Sequence, residues 1–152
     1  LPPIQEETGI KAKLGVGCTV KSHADASSSF QQAQTAVRIC SGDGEGEVHS
    51  YKEYLLIKML EDIPKFKLNE YLEILLDSDA KDIFADQDMI NTAEEFLENS
   101  LNVSETSRKL YLHRNTLMYR LDKIERASGL NIRKFSDAVT FRLITILYKI
   151  LK

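Results

Sequence analysis

The sequence predicts an α+β fold that is mostly α-helical, with a small strand-helix-strand part at the N-terminus and a helical bundle after it. Three observations support this prediction. Apolar and polar residues alternate in residues 10–16, as in a half-buried strand. Apolar residues recur at helical spacing through most of the chain after residue 26. The 152 residues, 43% of them hydrophobic, are enough to bury a core in one domain or in two small ones.

The N-terminal part is predicted to place one helix between two strands. The first strand ends in the Gly-Val-Gly sequence of residues 15–17, and a helix follows over residues 26–39. We interpret this glycine pair as a strand end and not as a phosphate loop, because no GxGxxG or Walker pattern extends it. After a loop over residues 41–47, a second short strand is expected over residues 48–51. The buried side of the helix is expected to carry Phe30, Ala33, Ala36 or Val37, and Cys40.

Helices are predicted for most of the remaining chain. Residues 51–62 form the first, and Pro64 ends or offsets it, which places a hinge there. Residues 68–76 and 89–101 are two more amphipathic helices, and the acidic stretch between them is predicted to be a loop. Its aspartates lack the order of a calcium-binding loop, so we favour a solvated loop over a cation site. These aspartates are Asp77, Asp79, Asp82, Asp86 and Asp88.

The last helix is predicted over residues 137–152, with Ser136 as its cap. Its apolar residues cover more than one stripe, so the helix should be buried on two sides. The run FRLITILYKIL is too short to cross a membrane and carries Arg142 and Lys149. It is therefore interpreted as a core helix, and no membrane partner is expected.

Residues 102–130 carry the start, turn and stop signals of a helix-turn-helix, which points to DNA. Asn102 and Glu105 form a capping-box pattern at the start of a short helix. Tyr111 occupies the turn, where many such motifs carry a glycine with positive φ. A tyrosine there implies a different turn or some strain.

The second helix, over residues 113–128, has the features of a recognition helix. Leu117, Leu121 and Ile124 lie on one stripe that should face inward, and Gly129 ends the helix. The N-terminal residues and the opposite face are then free to reach base edges and phosphates. An arginine can pair bidentately with guanine and an asparagine with adenine. The predicted DNA-binding residues are His113, Arg114, Asn115, Thr116, Tyr119 and Lys123.

Two residues of this helix carry separate expectations. Asp122 lies on the exposed face and repels phosphate, so close DNA contact is expected over only the first two turns. Arg120 lies nearer the apolar stripe and could contact a phosphate or another part of the protein. The alternative for the whole motif is a plain helical hairpin with solvated Arg and Lys residues. Ser107 argues against it, because a small residue stands where the two helices must approach closely.

Charge is divided unevenly along the chain, although the net charge is only −3. Residues 1–100 carry 9 Lys and Arg against 19 Asp and Glu, whereas residues 101–152 carry 11 against 4. A basic C-terminal third on an acidic body is expected when one part of a protein meets phosphate. A solvated charged face is the alternative interpretation.

The stretch LNVSETSRKLYLHRNTLMYRLDKIERASGLNI resembles the C-terminal DNA-binding domain of the PucR/CdaR family of bacterial transcription regulators. Residues 113–117 and 119–121 match the HRNT-L-x-Y-R-L core of that family position for position. Ser107 departs from the family's usual alanine, and both are small. The resemblance covers residues 79–152 and implies a Fis-like helix-turn-helix.

The stretch IKAKLGVGCTVKSHADASSSFQQAQTAVRIC resembles the end of the degenerate GGDEF-like domain that often precedes this module in sugar-diacid-type regulators. The chain contains no GGDEF sequence, so the cyclase signature and its metal ligands are absent from it. The expected organisation is a partial GGDEF-like α/β segment over residues 1–62, a helical linker over residues 63–80 and the helix-turn-helix DNA-binding domain over residues 81–152.

The leading hypothesis is a sequence-specific DNA-binding regulator of transcription, represented here by its C-terminal fragment. Its expected partners are double-stranded DNA and a second copy of the chain, since one helix-turn-helix buries little surface on DNA. The alternative is an oligomerisation or effector-sensing module whose helix-turn-helix does not bind DNA. A small-molecule effector, if one is sensed, is expected to bind a missing upstream domain.

No enzyme, metal site or cofactor is expected. His23, His49 and His113 are dispersed without a ligand motif, and no catalytic grouping can be argued from sequence alone. Cys18 and Cys40 have no metal-ligand spacing, and no signal peptide is present, so reduced thiols and a cytoplasmic location are the expectation.

Overall fold

Most of the described chain is α-helical, with one small parallel sheet near the N-terminus, which confirms the predicted fold class. The computed structural model describes residues 7–9, 12–40, 48–76 and 80–152. The chain divides into two compact units, Leu1–Asp62 and Ile63–Lys152. The strands and α-helices whose bounds fall within the described residues are β1 Leu14–Val16, α1 Ala26–Ile39, β2 Val48–Ser50, α2 Leu55–Glu61, α3 Lys65–Leu75, α4 Lys81–Ala85, α5 Gln87–Glu98, α6 Val103–Lys109, α7 Arg114–Ser128 and α8 Phe135–Leu151.

The first unit contains the predicted strand-helix-strand. β1 and β2 pair in parallel, with Leu14 opposite Val48 and Val16 opposite Ser50. A parallel pair needs a crossover connection, and α1 provides it while packing against β1. The predicted start of the first strand and the predicted loop over residues 41–47 lie outside the described residues. A single 3-10 turn, Tyr51–Tyr54, precedes α2 where one continuous helix was predicted.

Gly15 in β1 and Gly17 just after it allow α1 to approach the strand closely. A Cβ atom on Gly15 would lie 2.1 Å from the carbonyl oxygen of Ala33. A Cβ on Gly17 would lie 2.0 Å from the carbonyl oxygen of Ser29. Any larger residue at either position would collide with the helix backbone. The Gly-Val-Gly sequence is thus a strand feature, as predicted, and serves helix packing.

In the first unit, several apolar residues that were predicted to be buried are exposed. Leu14 and Val16 are 45% and 42% exposed, because α1 covers the glycine side of β1 instead of its apolar side. Phe30, predicted to be buried, is 64% exposed, whereas Ala36 is fully buried. A phenylalanine is too large for the close contact that the glycines create. The prediction of a buried Cys40 is confirmed.

The second unit is built around one hydrophobic cluster. Phe96 and Phe141, with relative exposures of 0%, are among its fully buried side chains. Pro64 directly precedes α3, the first helix of the unit. α8 packs against both α3 and α5, so its predicted burial on two sides is confirmed. In the described part of the chain, no helix has the length and apolar character needed to cross a bilayer.

The start of α8 and part of the acidic stretch differ from the prediction. α8 begins at Phe135, and Ser136 does not cap it; Asp137 instead accepts a hydrogen bond from the Asn131 amide at 3.0 Å. Residues 77–79 lie outside the described part, but the following residues form α4. Packing stabilises α4, because Phe84 is buried and stacks on Phe141, with ring centroids 5.0 Å apart.

We expect Gly15→Ala to destabilise the first unit by about 1–3 kcal/mol, because the new methyl group must displace the backbone of α1. Denaturant unfolding followed by circular dichroism measures the change. Val16→Ala, an exposed position in the same strand, is the control and should cost much less. Unchanged unfolding of the Gly15 variant would show that the close approach of α1 and β1 is wrong.

Candidate nucleic-acid interface

α6 begins with the side-chain cap that the sequence predicts. The Asn102 side-chain oxygen accepts hydrogen bonds from the amides of Ser104 and Glu105, at 3.0 and 3.1 Å. The predicted reciprocal bond, from the Asn102 amide to the Glu105 side chain, is wrong. The Glu105 carboxylate instead accepts from Arg108 at 2.5 Å, which lowers the pKa of Glu105 and raises the pKa of Arg108. A charged donor one turn away is a stronger partner than a neutral amide.

The turn between α6 and α7 is left-handed at Tyr111, which has φ +54°. This confirms the expected strain, because an L-residue with a side chain is disfavoured in that region. The Leu112 amide donates to the Ser107 carbonyl at 2.9 Å and closes the turn. The Ser107 side chain is buried, and its hydroxyl donates to the Val103 carbonyl at 2.7 Å. A small residue at this place lets α6 and α7 pack closely.

His113 caps the N-terminus of α7. Its Nδ1 accepts a hydrogen bond from the Asn115 amide at 3.2 Å. An accepting Nδ1 assigns the ring hydrogen to Nε2. At the other end, Gly129 has φ +71° and its amide donates to the Glu125 carbonyl at 2.8 Å, so the predicted glycine stop is confirmed.

The apolar stripe of α7 faces the core as predicted. Leu117 and Ile124 have relative exposures of 0%, and Leu121 has 1%. α7 packs against α5 and α6 on this side. Because the stripe is buried, the opposite face of the helix must point outward.

The first two turns of α7 present an exposed polar surface, which we call the reading surface. Its members are His113, Arg114, Asn115, Thr116 and Tyr119. All five are exposed, and Tyr119 is 62% exposed. Together they offer a guanidinium, an amide, an imidazole and hydroxyls, all able to donate hydrogen bonds to base edges or phosphates.

Lys123, the sixth predicted residue, has different surroundings. It lies one turn beyond the reading surface, and its ammonium nitrogen is 3.5 Å from the Asp86 carboxylate. Asp86 also caps α5, accepting from the amides of Asp88 and Met89 at 3.1 and 3.3 Å. Lys123 thus contacts a neighbouring helix start. Asp86, a member of the acidic stretch, has a structural role.

The negative charge of Asp122 is partly offset by Arg133, a partner that the sequence did not predict. Arg133 donates to Asp122 at 2.6 Å and to Glu125 at 2.8 Å. The hydrogen bond to Asp122 raises the pKa of Arg133, with a smaller contribution from Glu125. Repulsion of phosphate by Asp122 is therefore weaker than its charge alone suggests. No local pattern indicates this partner, because Arg133 lies beyond the end of the helix.

Arg120 contacts another part of the protein, which resolves the two alternatives for it. Its guanidinium donates to the Thr92 hydroxyl at 2.9 Å. Thr92 is buried, and its own hydroxyl donates to the Asp88 carbonyl at 2.7 Å. Arg120 thus connects α7 to α5 by a hydrogen bond.

Residues 89–146 match the family described as the PucR C-terminal helix-turn-helix domain. These residues form a PucR-type helix-turn-helix domain. The match contains α6, the turn and α7 entirely, together with most of α5 and of α8.

Three proteins from Bacillus subtilis (strain 168) are similar to parts of this chain. The uncharacterized protein YxkF is 41% identical over 71 residues, which are 46% of this chain and 24% of that protein. The purine catabolism regulatory protein is 34% identical over 91 residues, 60% of this chain and 16% of that protein. The uncharacterized protein YsfB is 28% identical over 127 residues, 83% of this chain and 32% of that protein. The chain thus spans a third or less of these relatives.

Glu95 links α5 to α6, the first helix of the helix-turn-helix. Its carboxylate accepts from the Asn99 side chain at 2.8 Å and lies 3.0 Å from the Lys109 ammonium. The hydrogen bond from Asn99 is the main reason why the pKa of Glu95 is lowered, and Lys109 adds to it. Glu95 helps to fix α6 on α5, which in turn positions α7.

His113 should contribute to stability through its cap, independently of any ligand. We expect His113→Ala to lower the free energy of unfolding by about 0.5–2 kcal/mol, because the Asn115 amide loses its partner. His113→Asn should restore most of the loss, since asparagine is among the best capping residues. Urea denaturation measures both. An equal loss in the two variants would mean that the cap contributes nothing.

Proposed function

We propose that this chain is the DNA-binding part of a transcription regulator, and that it reads sequence by placing the start of α7 in the major groove. The observation that carries the proposal is the reading surface. Four consecutive hydrogen-bonding residues, 113–116, and Tyr119 one turn later all point outward from a helix whose opposite face is buried.

Each residue of the reading surface suits a particular contact. Arg114 is assigned to guanine, which it can bind with two parallel hydrogen bonds, and Asn115 to adenine. Thr116 and Tyr119 are assigned to phosphates or to a thymine methyl group. Lys123 is placed at the phosphate edge of the contact, where its pairing with Asp86 should make its contribution the smallest.

Similarity to a purine catabolism regulatory protein supports the regulatory role, and the basic character of residues 101–152 supports a phosphate-bearing partner. We also propose that the protein is cytoplasmic, because a bacterial protein that binds DNA must be in the cytoplasm. We place the reader in residues 81–152, a helical linker in residues 63–80 and a partial GGDEF-like segment of the sugar-diacid type in residues 1–62. That segment is proposed to serve oligomerisation or signal relay, with any effector bound upstream.

The proposed assembly on DNA is a homodimer that binds two half-sites about one helical turn apart. A single recognition helix buries little DNA surface, and pairing doubles it. Several helices offer exposed apolar side chains for such pairing. In α3 these are Phe66 and Ile74, at 68% and 76% exposure, and in α8 Phe135 and Val139, at 79% and 52%.

We expect Arg114→Ala to weaken binding to a selected DNA duplex by about 10- to 100-fold and to remove base preference at one position of the site. Removing this cation from the groove should also reduce the slope of log affinity against log salt concentration, by less than the roughly one unit lost with a phosphate-bound cation. Fluorescence anisotropy in a salt series measures both effects. Arg126→Ala is the matched control, because Arg126 is an exposed arginine in the last turn of the same helix. Its effect should be small.

Two results would contradict the proposal. Undetectable binding at low salt to any sequence in a random pool would favour the alternative of an oligomerisation or effector-sensing module. Unchanged affinity of the Arg114 variant would show that the reading surface is assigned to the wrong residues.

Dimer formation is tested by sedimentation of the chain at tens of micromolar. We expect a dimer, and the sequences selected from the random pool should contain two related half-sites with centres roughly 10 base pairs apart. A strictly monomeric chain that selects a single half-site would contradict the homodimer while leaving the DNA contact intact.

A further inference from the structure

Three non-glycine residues in the described part of the chain have a left-handed backbone. They are Ser100 at φ +54°, Leu101 at φ +62° and Tyr111 at φ +54°. This conformation is unfavourable for residues with a Cβ atom, and glycine adopts it without that penalty. A bulky residue retained at such a position needs a compensating interaction.

The first two positions can be explained within the protein. Leu101 is partly buried against the hydrophobic core of its unit, and its amide donates to the Phe96 carbonyl at 3.0 Å. Its side chain therefore stabilises the fold. Ser100 is small, and its amide donates to the Leu97 carbonyl at 3.1 Å as part of the same turn.

Tyr111 has no such explanation. Its side chain is 96% exposed, so it stabilises the fold through almost no packing. The hydrogen bonds of the turn use only backbone atoms: its amide donates to the Arg108 carbonyl at 3.2 Å, and the next amide donates to Ser107. A glycine would make the same bonds without strain. The Tyr111 side chain is therefore available to contact a partner outside the folded chain.

We propose that Tyr111 is a further DNA contact, whose phenol hydroxyl donates to a backbone phosphate beside the bases read by α7. The inference rests on the proposed function. Tyr111 lies two residues before His113, so its Cα is within about 8 Å of the start of the reading surface. The long side chain can cross that distance, and the hydroxyl is a neutral donor suited to phosphate.

The neighbouring charges favour an anion at this place. Arg108 and Lys109 lie in the last turn of α6, and Arg114 lies in the first turn of α7. Arg108 and Lys109 are paired with Glu105 and Glu95, but their side chains are 76% and 52% exposed, so each keeps donors that a phosphate can reach. These basic residues flank the turn on both sides, so a phosphate held by the Tyr111 hydroxyl would lie in a basic part of the sequence.

The test uses the whole chain, one selected DNA duplex and three variants. Tyr111→Gly should raise the denaturant midpoint, because it relieves the strained backbone, yet weaken DNA binding about 3- to 10-fold. Tyr111→Phe keeps the strain and removes only the hydroxyl, so the midpoint should stay unchanged and the affinity should fall by a similar factor. The control is Ser100→Gly, which also relieves a left-handed residue but lies outside the reading surface; it should raise the midpoint and leave the affinity unchanged.

The salt series separates this contact from that of Arg114. A neutral donor displaces no counterion, so both Tyr111 variants should keep the wild-type slope of log affinity against log salt concentration. Wild-type affinity in Tyr111→Gly would overturn the inference, and wild-type affinity in Tyr111→Phe would overturn the assignment to the hydroxyl. A change in sedimentation without a change in DNA affinity would overturn it in favour of a protein contact.

Failure of this inference is distinguishable from failure of the proposed function. If the wild-type chain binds DNA and Arg114→Ala weakens it while both Tyr111 variants bind normally, only the role of Tyr111 is refuted. If the wild-type chain binds no DNA, the proposed function fails first.

Discussion

The burial of one stripe of α7 is the constraint on which the reading surface depends. Leu117, Leu121 and Ile124 are almost completely buried, and each such side chain contributes about 1.5–3 kcal/mol relative to exposure. Rotating α7 about its axis would expose all three. The direction of the first two turns is therefore set mainly by the hydrophobic core, and the hydrogen bond from Arg120 to Thr92 adds to it. The capped start of α6 and the small Ser107 matter because they let this stripe reach the core.

Features that depend on short spacings along one element could be predicted from the sequence. The Asn102 cap, the Gly129 stop and the inward stripe of α7 each involve residues within about two turns of each other, where helix geometry fixes their relation. The exposure of the residues around Arg114 follows from the same periodicity. The strained turn at Tyr111 was also foreseeable, because a non-glycine residue stood where the chain had to reverse.

Partners across elements could not be predicted, because they depend on how helices pack. Arg120 bonds to a hydroxyl 28 residues earlier, and Asp122 bonds to an arginine 11 residues later. Either residue, taken from its own helix, is an exposed charge. The wrong side predicted for Phe30 has a similar cause: periodicity finds the apolar face of α1, but the glycines of β1 select small side chains for the contact. Close backbone approach outweighed hydrophobicity there.

The capping bond of His113 also restricts what this side chain can recognise. With Nδ1 occupied by the Asn115 amide, the only polar atom left to face a ligand is Nε2, which carries a hydrogen. The ring is thus committed to the role of donor. On a base edge it matches the acceptors of guanine, the ring nitrogen of adenine or the oxygen of thymine, and it is mismatched with the amino groups of cytosine and adenine. The cap of α7 therefore also fixes the hydrogen-bonding role that His113 would have in the proposed contact with DNA.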